Sequence, residues 1–220
     1  LADVSTWLKA QGVIDDPAQF VAVYDRIVQS LEFPFISRTF GELEMFRLAF
    51  QEMEVLGASP ETALARYRES VTSHTALDAD IRAALEWLRT EGFRLALLSN
   101  ERAVRVEAWF TATGARSLFD SQFVSETEGV EKPDRRYFEG ALAKLGVDAE
   151  ELLMFGDNPI ADGASRQAGI RFVHVTAFST SRWYFEKGET FEPAYVLPRI
   201  TPASIRRCIG VLDPEREMRE

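Results

Sequence analysis

The stretch Leu152-Leu153-Met154-Phe155-Gly156-Asp157-Asn158-Pro159-Ile160-Ala161-Asp162 decides how this chain is read, because a short apolar run ends in a glycine and two carboxylates. Four consecutive apolar residues suit a buried strand, and acids just beyond its end are suited to holding a hard cation. Asp157 and Asp162 offer the oxygen ligands that Mg²⁺ prefers, with Gly156 allowing the tight turn that aims them. The plainer alternative is a strand followed by a helix cap, with Asp157 or Asn158 bonding free backbone N–H groups and Asp162 on a solvated face.

Outward from this stretch the same alternation repeats. Phe93 to Leu98, Gln122 to Ser125, Leu152 to Phe155, Arg171 to Val175 and Ala194 to Leu197 read as short buried strands. Helical runs at 101–113, 134–145, 160–168 and 202–211 separate them, with Gly114, Gly146 and Gly169 where helices should end. Strand alternating with helix predicts a doubly wound parallel α/β sheet, whose ligands bind at the carboxyl ends of the strands.

Before residue 90 the period is helical. Phe20, Val21, Val23, Tyr24 and Ile27 form one apolar stripe, and Leu43, Met45, Phe46, Leu48, Ala49 and Phe50 another. Ser59 with Pro60 predicts a third helix start, and Asp78 or Asp80 a fourth, which Gly92 stops. The aromatics Phe33, Phe35, Phe40, Phe46 and Phe50 are expected mostly to hold these helices together. Arg38 is read as a solvated loop arginine with a reach toward an anionic group.

Composition narrows the function. The chain has 220 residues, 46% of them apolar, enough to bury a sizeable core. A net charge of −10 without a basic block argues against a nucleic-acid partner. No apolar run approaches the roughly 20 residues of a membrane helix. The single cysteine, Cys208, excludes an internal disulfide, so a cytoplasmic setting is expected. His74 and His174 stand apart in sequence, which argues against histidine-based zinc chemistry.

The strand ends carry the chemistry: Ser99 and Asn100 after the first strand, Glu131-Lys132-Pro133 after the second, and Asp157 to Asp162 after the third. A hydroxyl, an ammonium and a metal-binding acid pair on one edge are the parts phosphoryl transfer needs. Taken singly, Ser99 reads as a helix cap and Lys132 as a surface lysine.

Together, Leu97-Leu98-Ser99-Asn100, Lys132-Pro133 with Tyr137-Phe138, and Gly156 to Asp162 leading to Ala168-Gly169-Ile170 resemble the haloacid dehalogenase superfamily over about 93–197. The resemblance implies a hydrolase, most often a Mg²⁺-dependent phosphatase acting on a small phosphorylated substrate through an aspartyl-phosphate. It implies an α-helical cap at 10–80 inserted in an α/β core of 1–9 and 81–212, and a charged tail from 213 is expected to fray. Ser99 and Asn100 would bind substrate, Lys132 would hold the phosphate and the nucleophile, and Asp157 and Asp162 would serve the metal. A monomer or homodimer is expected.

Two departures stand out. The Ala168-Gly169 pair lies one residue closer to Asp162 than the family's longer acid spacing predicts, setting Ala161 where its shorter version has the acid. The family's Asp-x-Asp-x-Thr nucleophile motif is also missing, since Asp3-Val4-Ser5-Thr6-Trp7 lacks its second aspartate and threonine. Leu1-Ala2-Asp3 aligns better as the tail of that motif, which places the expected nucleophile a few residues upstream of Leu1. The alternatives are a metal-independent 2-haloacid dehalogenase and a non-catalytic relative that binds a ligand or a protein. The connection from Thr176 to Glu192, with Trp183, Tyr184 and Phe185, is assigned either to the active-site edge or to a subunit contact.

Overall fold

The structure, a computed structural model, describes residues 1–30, 42–178 and 189–213, apart from the side chains of Gln29, Thr72 and His74. Phe33, Phe35, Arg38, Phe40, Trp183, Tyr184, Phe185 and the charged end at 214–220 therefore lie outside the described residues. Two compact units emerge, residues 1–76 with 104–113, and residues 77–103 with 114–220.

The first unit is helical. It comprises α1 (Ala2–Ala10), α2 (Pro17–Ser30), α3 (Glu42–Glu52) and α4 (Pro60–His74), and also holds nearly all of α6 (Ala103–Thr113), which follows α5 (Ala79–Thr90) in the chain. Val4 and Leu8 project from one face of α1 and are fully buried with Phe20 of α2 and Phe46 of α3. Each such side chain removed from water stabilises the unit by roughly 1.5–3 kcal/mol. The helical unit thus begins before residue 10. Residues 1–9, expected with the α/β core, fold here because Val4 and Leu8 find their apolar partners on α2 and α3. The start of α4 follows its sequence signal, with the Ser59 hydroxyl accepting the Thr62 N–H at 3.1 Å.

The second unit carries the parallel strands. Asp78 caps α5 by accepting the Asp80 and Ile81 N–H groups, and Gly92 follows in the left-handed region. The strands are β1 (Ala96–Ser99), β2 (Ser121–Val124), β3 (Leu153–Gly156), β4 (Arg171–Val175) and β5 (Tyr195–Leu197). Between them lie α7 (Ser125–Glu128), α8 (Arg135–Leu145) and, at the end, α9 (Pro202–Leu212). The stretch after Asp162, expected as an α-helix, is a tighter 3₁₀ segment, Gly163–Ala168.

Alternation along β4 separates two apolar layers. Val173 and Val175 pack with Leu88 of α5 and Ile205 of α9, whereas Phe172 packs with Tyr137 and Phe138 of α8. Helices on both faces of parallel strands are the doubly wound arrangement the sequence pattern predicts.

The strands form two ladders, β1-β2 and β3-β4-β5, each parallel. Between β1 and β3 lies a cavity of about 480 Å³, lined by Ala96 and Leu98 of β1, Leu153 and Phe155 of β3, Leu88 and Ile209. Most of the residues that line it are apolar, and parallel strands contribute from both sides, the environment of a central strand.

Candidate active site

The carboxyl ends of β1 and β3 meet at one lysine. Lys132, only 7% exposed, donates its Nζ to the Leu98 carbonyl at the end of β1 (3.1 Å) and to Asp162 Oδ1 (2.6 Å). Asp162 is 5% exposed, and its other oxygen accepts the Asn158 N–H at 3.1 Å. An ammonium and a carboxylate withdrawn from water together hold each other in register, and neither is tolerated there alone.

Asn100 secures the backbone of that lysine. Its side-chain Nδ2 donates to the Lys132 carbonyl at 2.6 Å, and its Oδ1 accepts the Lys132 N–H at 2.9 Å. Both ends of the Asn100 amide are thus engaged on Lys132. Ser99 closes β1, and its carbonyl lies 3.4 Å from the Tyr137 hydroxyl, which donates to the Phe123 carbonyl at 2.6 Å. Burial pushes the Tyr137 hydroxyl well above its ordinary range, so it remains a donor. The first amide of α6, Ala103 N–H, is met by Glu126 at 2.9 Å, a capping role the sequence suggested for Ser99.

The turn from Asp157 to Asp162 is built by Asn158. Its Oδ1 accepts the Ile160 and Ala161 N–H groups, both at 3.0 Å, and its carbonyl accepts the Asp162 N–H at 2.9 Å. Gly156 is required for a different reason from the expected one. Its backbone is not left-handed; a Cβ there would lie 2.2 Å from Asp162 Oδ2. The Asp162 side chain lies across the glycine, and only a residue without a side chain lets it reach Lys132.

Asp157 is half-buried just past β3. Burial, and then the neighbouring charge of Asp162, raise its carboxyl above the usual range, against the opposing pull of Lys132 and His174. A divalent cation would relieve both effects, and oxygen donors of this kind suit Mg²⁺, which needs only one or two protein carboxylates and keeps waters for the rest. Among the described residues no group of three acids, histidines or cysteines is placed to bind a metal. Asp162 is already bonded through both oxygens, so Asp157 is the better placed ligand of the two.

Of the five residues singled out in the sequence, the structure links Asn100, Lys132, Asp157 and Asp162 directly, and Ser99 stands at the end of β1 next to the Leu98 carbonyl that Lys132 holds. The structure adds one that sequence reasoning set aside: His174, whose Nε2 is 3.2 Å from the Asp157 carbonyl. The signal was its place in the β4 alternation, two residues after Phe172 and level with the end of β3.

Comparisons with known proteins identify the family. Residues 39–175 match the family described as haloacid dehalogenase-like hydrolase. A phosphoserine phosphatase of Thermus thermophilus is 34% identical over 147 residues, covering 64% of this chain and 55% of that protein. A phosphoglycolate phosphatase of Colwellia psychrerythraea is 30% identical over 113 residues, covering 51% and 50%. An (S)-2-haloacid dehalogenase of Pseudomonas sp. is 28% identical over 150 residues, covering 64% and 61%. The chain spans about half the length of the first two of these relatives. Among solved structures, the HAD-hydrolase YfnB of Bacillus subtilis bound to magnesium aligns with a TM-score of 0.71 at 18% identity, over 96% of this chain and 91% of that one. At that identity the likeness establishes the fold.

Proposed function

Because this chain belongs to the haloacid dehalogenase-like hydrolases, we propose that it is a Mg²⁺-dependent phosphatase of small phosphate monoesters. The observation that carries this reading is the buried Lys132–Asp162 pair, which sets an ammonium at the strand ends beside the half-buried Asp157. An ammonium has three donors. Two of those of Lys132 are used on Leu98 and Asp162, which leaves one for a phosphoryl oxygen.

Ser99 supplies a hydroxyl to the same phosphoryl group, Asn100 and Asp162 position Lys132, and Asp157 is the direct metal ligand. When bound, Mg²⁺ supplies neutralisation of the charge on the transferring phosphoryl group. The nucleophile is an aspartate on a strand seated between β1 and β3, where the apolar cavity supports such an insertion. Such a strand would end beside Lys132, because Lys132 bonds to the end of β1 and, through Asp162, packs against Gly156 at the end of β3. Its carboxylate oxygen attacks phosphorus and the ester P–O bond breaks as a second aspartate, two residues on, protonates the departing alcohol; that residue then takes a proton from water, which cleaves the acyl phosphate to release phosphate and restore the nucleophile. The relatives named as phosphatases of phosphoserine and phosphoglycolate point to a small phosphorylated acid as substrate.

The test is phosphate release from phosphoglycolate and phosphoserine by the chain extended upstream through one further strand. Turnover is expected to require Mg²⁺ and to fall about 10²–10³-fold in Lys132→Met. Metal-independent halide release from 2-chloropropionate would replace this reading with the dehalogenase one. Ligand binding without turnover would point to a non-catalytic relative.

A further inference from the structure

His174 lies at the end of β4, paired in register with Gly156, the last residue of β3 in the ladder. Asp157 is thus the first residue beyond that paired segment, where the ladder no longer dictates its conformation. The His174 ring crosses to it, placing Nε2 3.2 Å from the Asp157 carbonyl oxygen. A carbonyl only accepts, so this nitrogen carries a proton whether the ring is neutral or cationic. The ring itself is held by Phe172, two residues earlier on the same face, in a stacked arrangement with centroids 5.8 Å apart and planes 26° from parallel.

The rest of the turn is fastened elsewhere. Asn158 ties Ile160 and Ala161, and the Phe191 N–H donates to the Pro159 carbonyl at 3.2 Å. These contacts fix the residues after Asp157. The peptide that follows Asp157 is held from both sides, its N–H by Asp162 Oδ2 at 3.1 Å and its carbonyl by His174, and of these two contacts the His174 one falls on an atom of Asp157 itself.

We propose that His174 is a positioning residue: by holding the Asp157 carbonyl it aims the Asp157 carboxylate at the metal position. This rests on the reading of Asp157 as the metal ligand. A ring that holds a ligand's backbone works as partners behind a metal ligand do, and loss of such partners typically weakens metal binding 10–100-fold.

The test is Mg²⁺ binding by calorimetry, with magnesium chloride titrated into the extended chain used for activity. His174→Phe keeps an aromatic ring against Phe172 and lacks the donor; His174→Leu is a second donor-free variant, so failure of one to fold leaves the comparison intact. His174→Gln restores an N–H close to the Nε2 position. Donor-free variants are expected to weaken Mg²⁺ binding about tenfold or more, with Tm little changed and recovery to within about threefold in His174→Gln. Asp157→Asn is the reference. If Asp157→Asn weakens binding and the donor-free variants do not, the role of His174 is overturned and the metal reading stands. If Asp157→Asn leaves binding unchanged, the metal reading falls and this inference with it.

Discussion

In the helical unit the buried carboxylate of Glu42 faces two guanidiniums that reach solvent, Arg68 at 2.9 Å and Arg105 at 3.1 Å. In the α/β unit Lys132 and Asp162 are both withdrawn from water and bond to each other at 2.6 Å. The arginine pair clamps three helices, α3, α4 and α6, and solvent screens its interactions because both guanidiniums are partly exposed. The lysine pair is costly to bury and stands at the ends of two strands. The arginine contacts hold helices of one unit together, whereas the desolvation cost of the lysine pair is what the proposed phosphate-binding role of Lys132 would account for.

Five variants sharpen or break that contrast, with the destabilising single changes in descending order of effect. Lys132→Met leaves the Asp162 carboxylate buried and unpaired, with an expected loss of about 3–5 kcal/mol in urea unfolding. The double change Lys132→Met with Asp162→Leu should recover most of that stability and none of the turnover; a double variant no more stable than the single one would show that the pair itself holds the fold. Gly156→Ala should cost about 1–3 kcal/mol, because the added Cβ displaces the Asp162 side chain from Lys132. A neutral result there would mean that Asp162 has another way to reach its partner.

Glu42→Gln is expected to cost about 1 kcal/mol, since both arginines fall back on water when their carboxylate partner is lost. A loss as large as that of Lys132→Met would erase the distinction between the two units. Asp157→Asn has the opposite sign. The folded carboxyl is raised, so the fold favours its protonated form, and ionisation lowers stability as pH climbs above the ordinary value near 3.9, roughly that of the unfolded chain. Without metal the Asn variant should therefore melt higher than the parent at pH 7, with the gap gone by about pH 3. Added Mg²⁺ should raise the parent alone. A parent more stable than the variant at pH 7 without metal would contradict the direction of the shift.

Most of the architecture was legible because its determinants are local. The Asp78 cap, the Ser59-Pro60 start and the left-handed glycines at 92, 114, 146 and 169 each act within about four residues, and all appear where the sequence put them. The strand positions followed from short apolar runs, and β4 matches its expected span of Arg171 to Val175. The 3₁₀ form of Gly163–Ala168 was not legible, because Asp162, Gly163 and Ala164 are drawn into the turn that Asn158 organises.

The site divides the same way. Ser99, Asn100, Lys132, Asp157 and Asp162 could be selected by residue type and by their place after strands, and the type of each limits what it can do: an ammonium donates, a carboxylate accepts or binds a cation. Their partners could not be selected. Lys132 and Asp162 are 30 residues apart, Asn100 and Lys132 are 32, and Asp157 and His174 are 17. No periodicity links such pairs.

The sequence alone therefore determined which segments are strands and helices, which ends carry polar chemistry, and that the chain resembles a hydrolase family. Tertiary structure decided that Asp162 turns to Lys132, that Gly156 is needed for space and not for its backbone angle, that α1 joins the helical core, and that a histidine set aside as solitary stands against Asp157. The reason is range. Backbone propensity and capping are settled between neighbours in the chain, whereas the pairing of a buried charge is settled by which loops the folded strands bring to the same point.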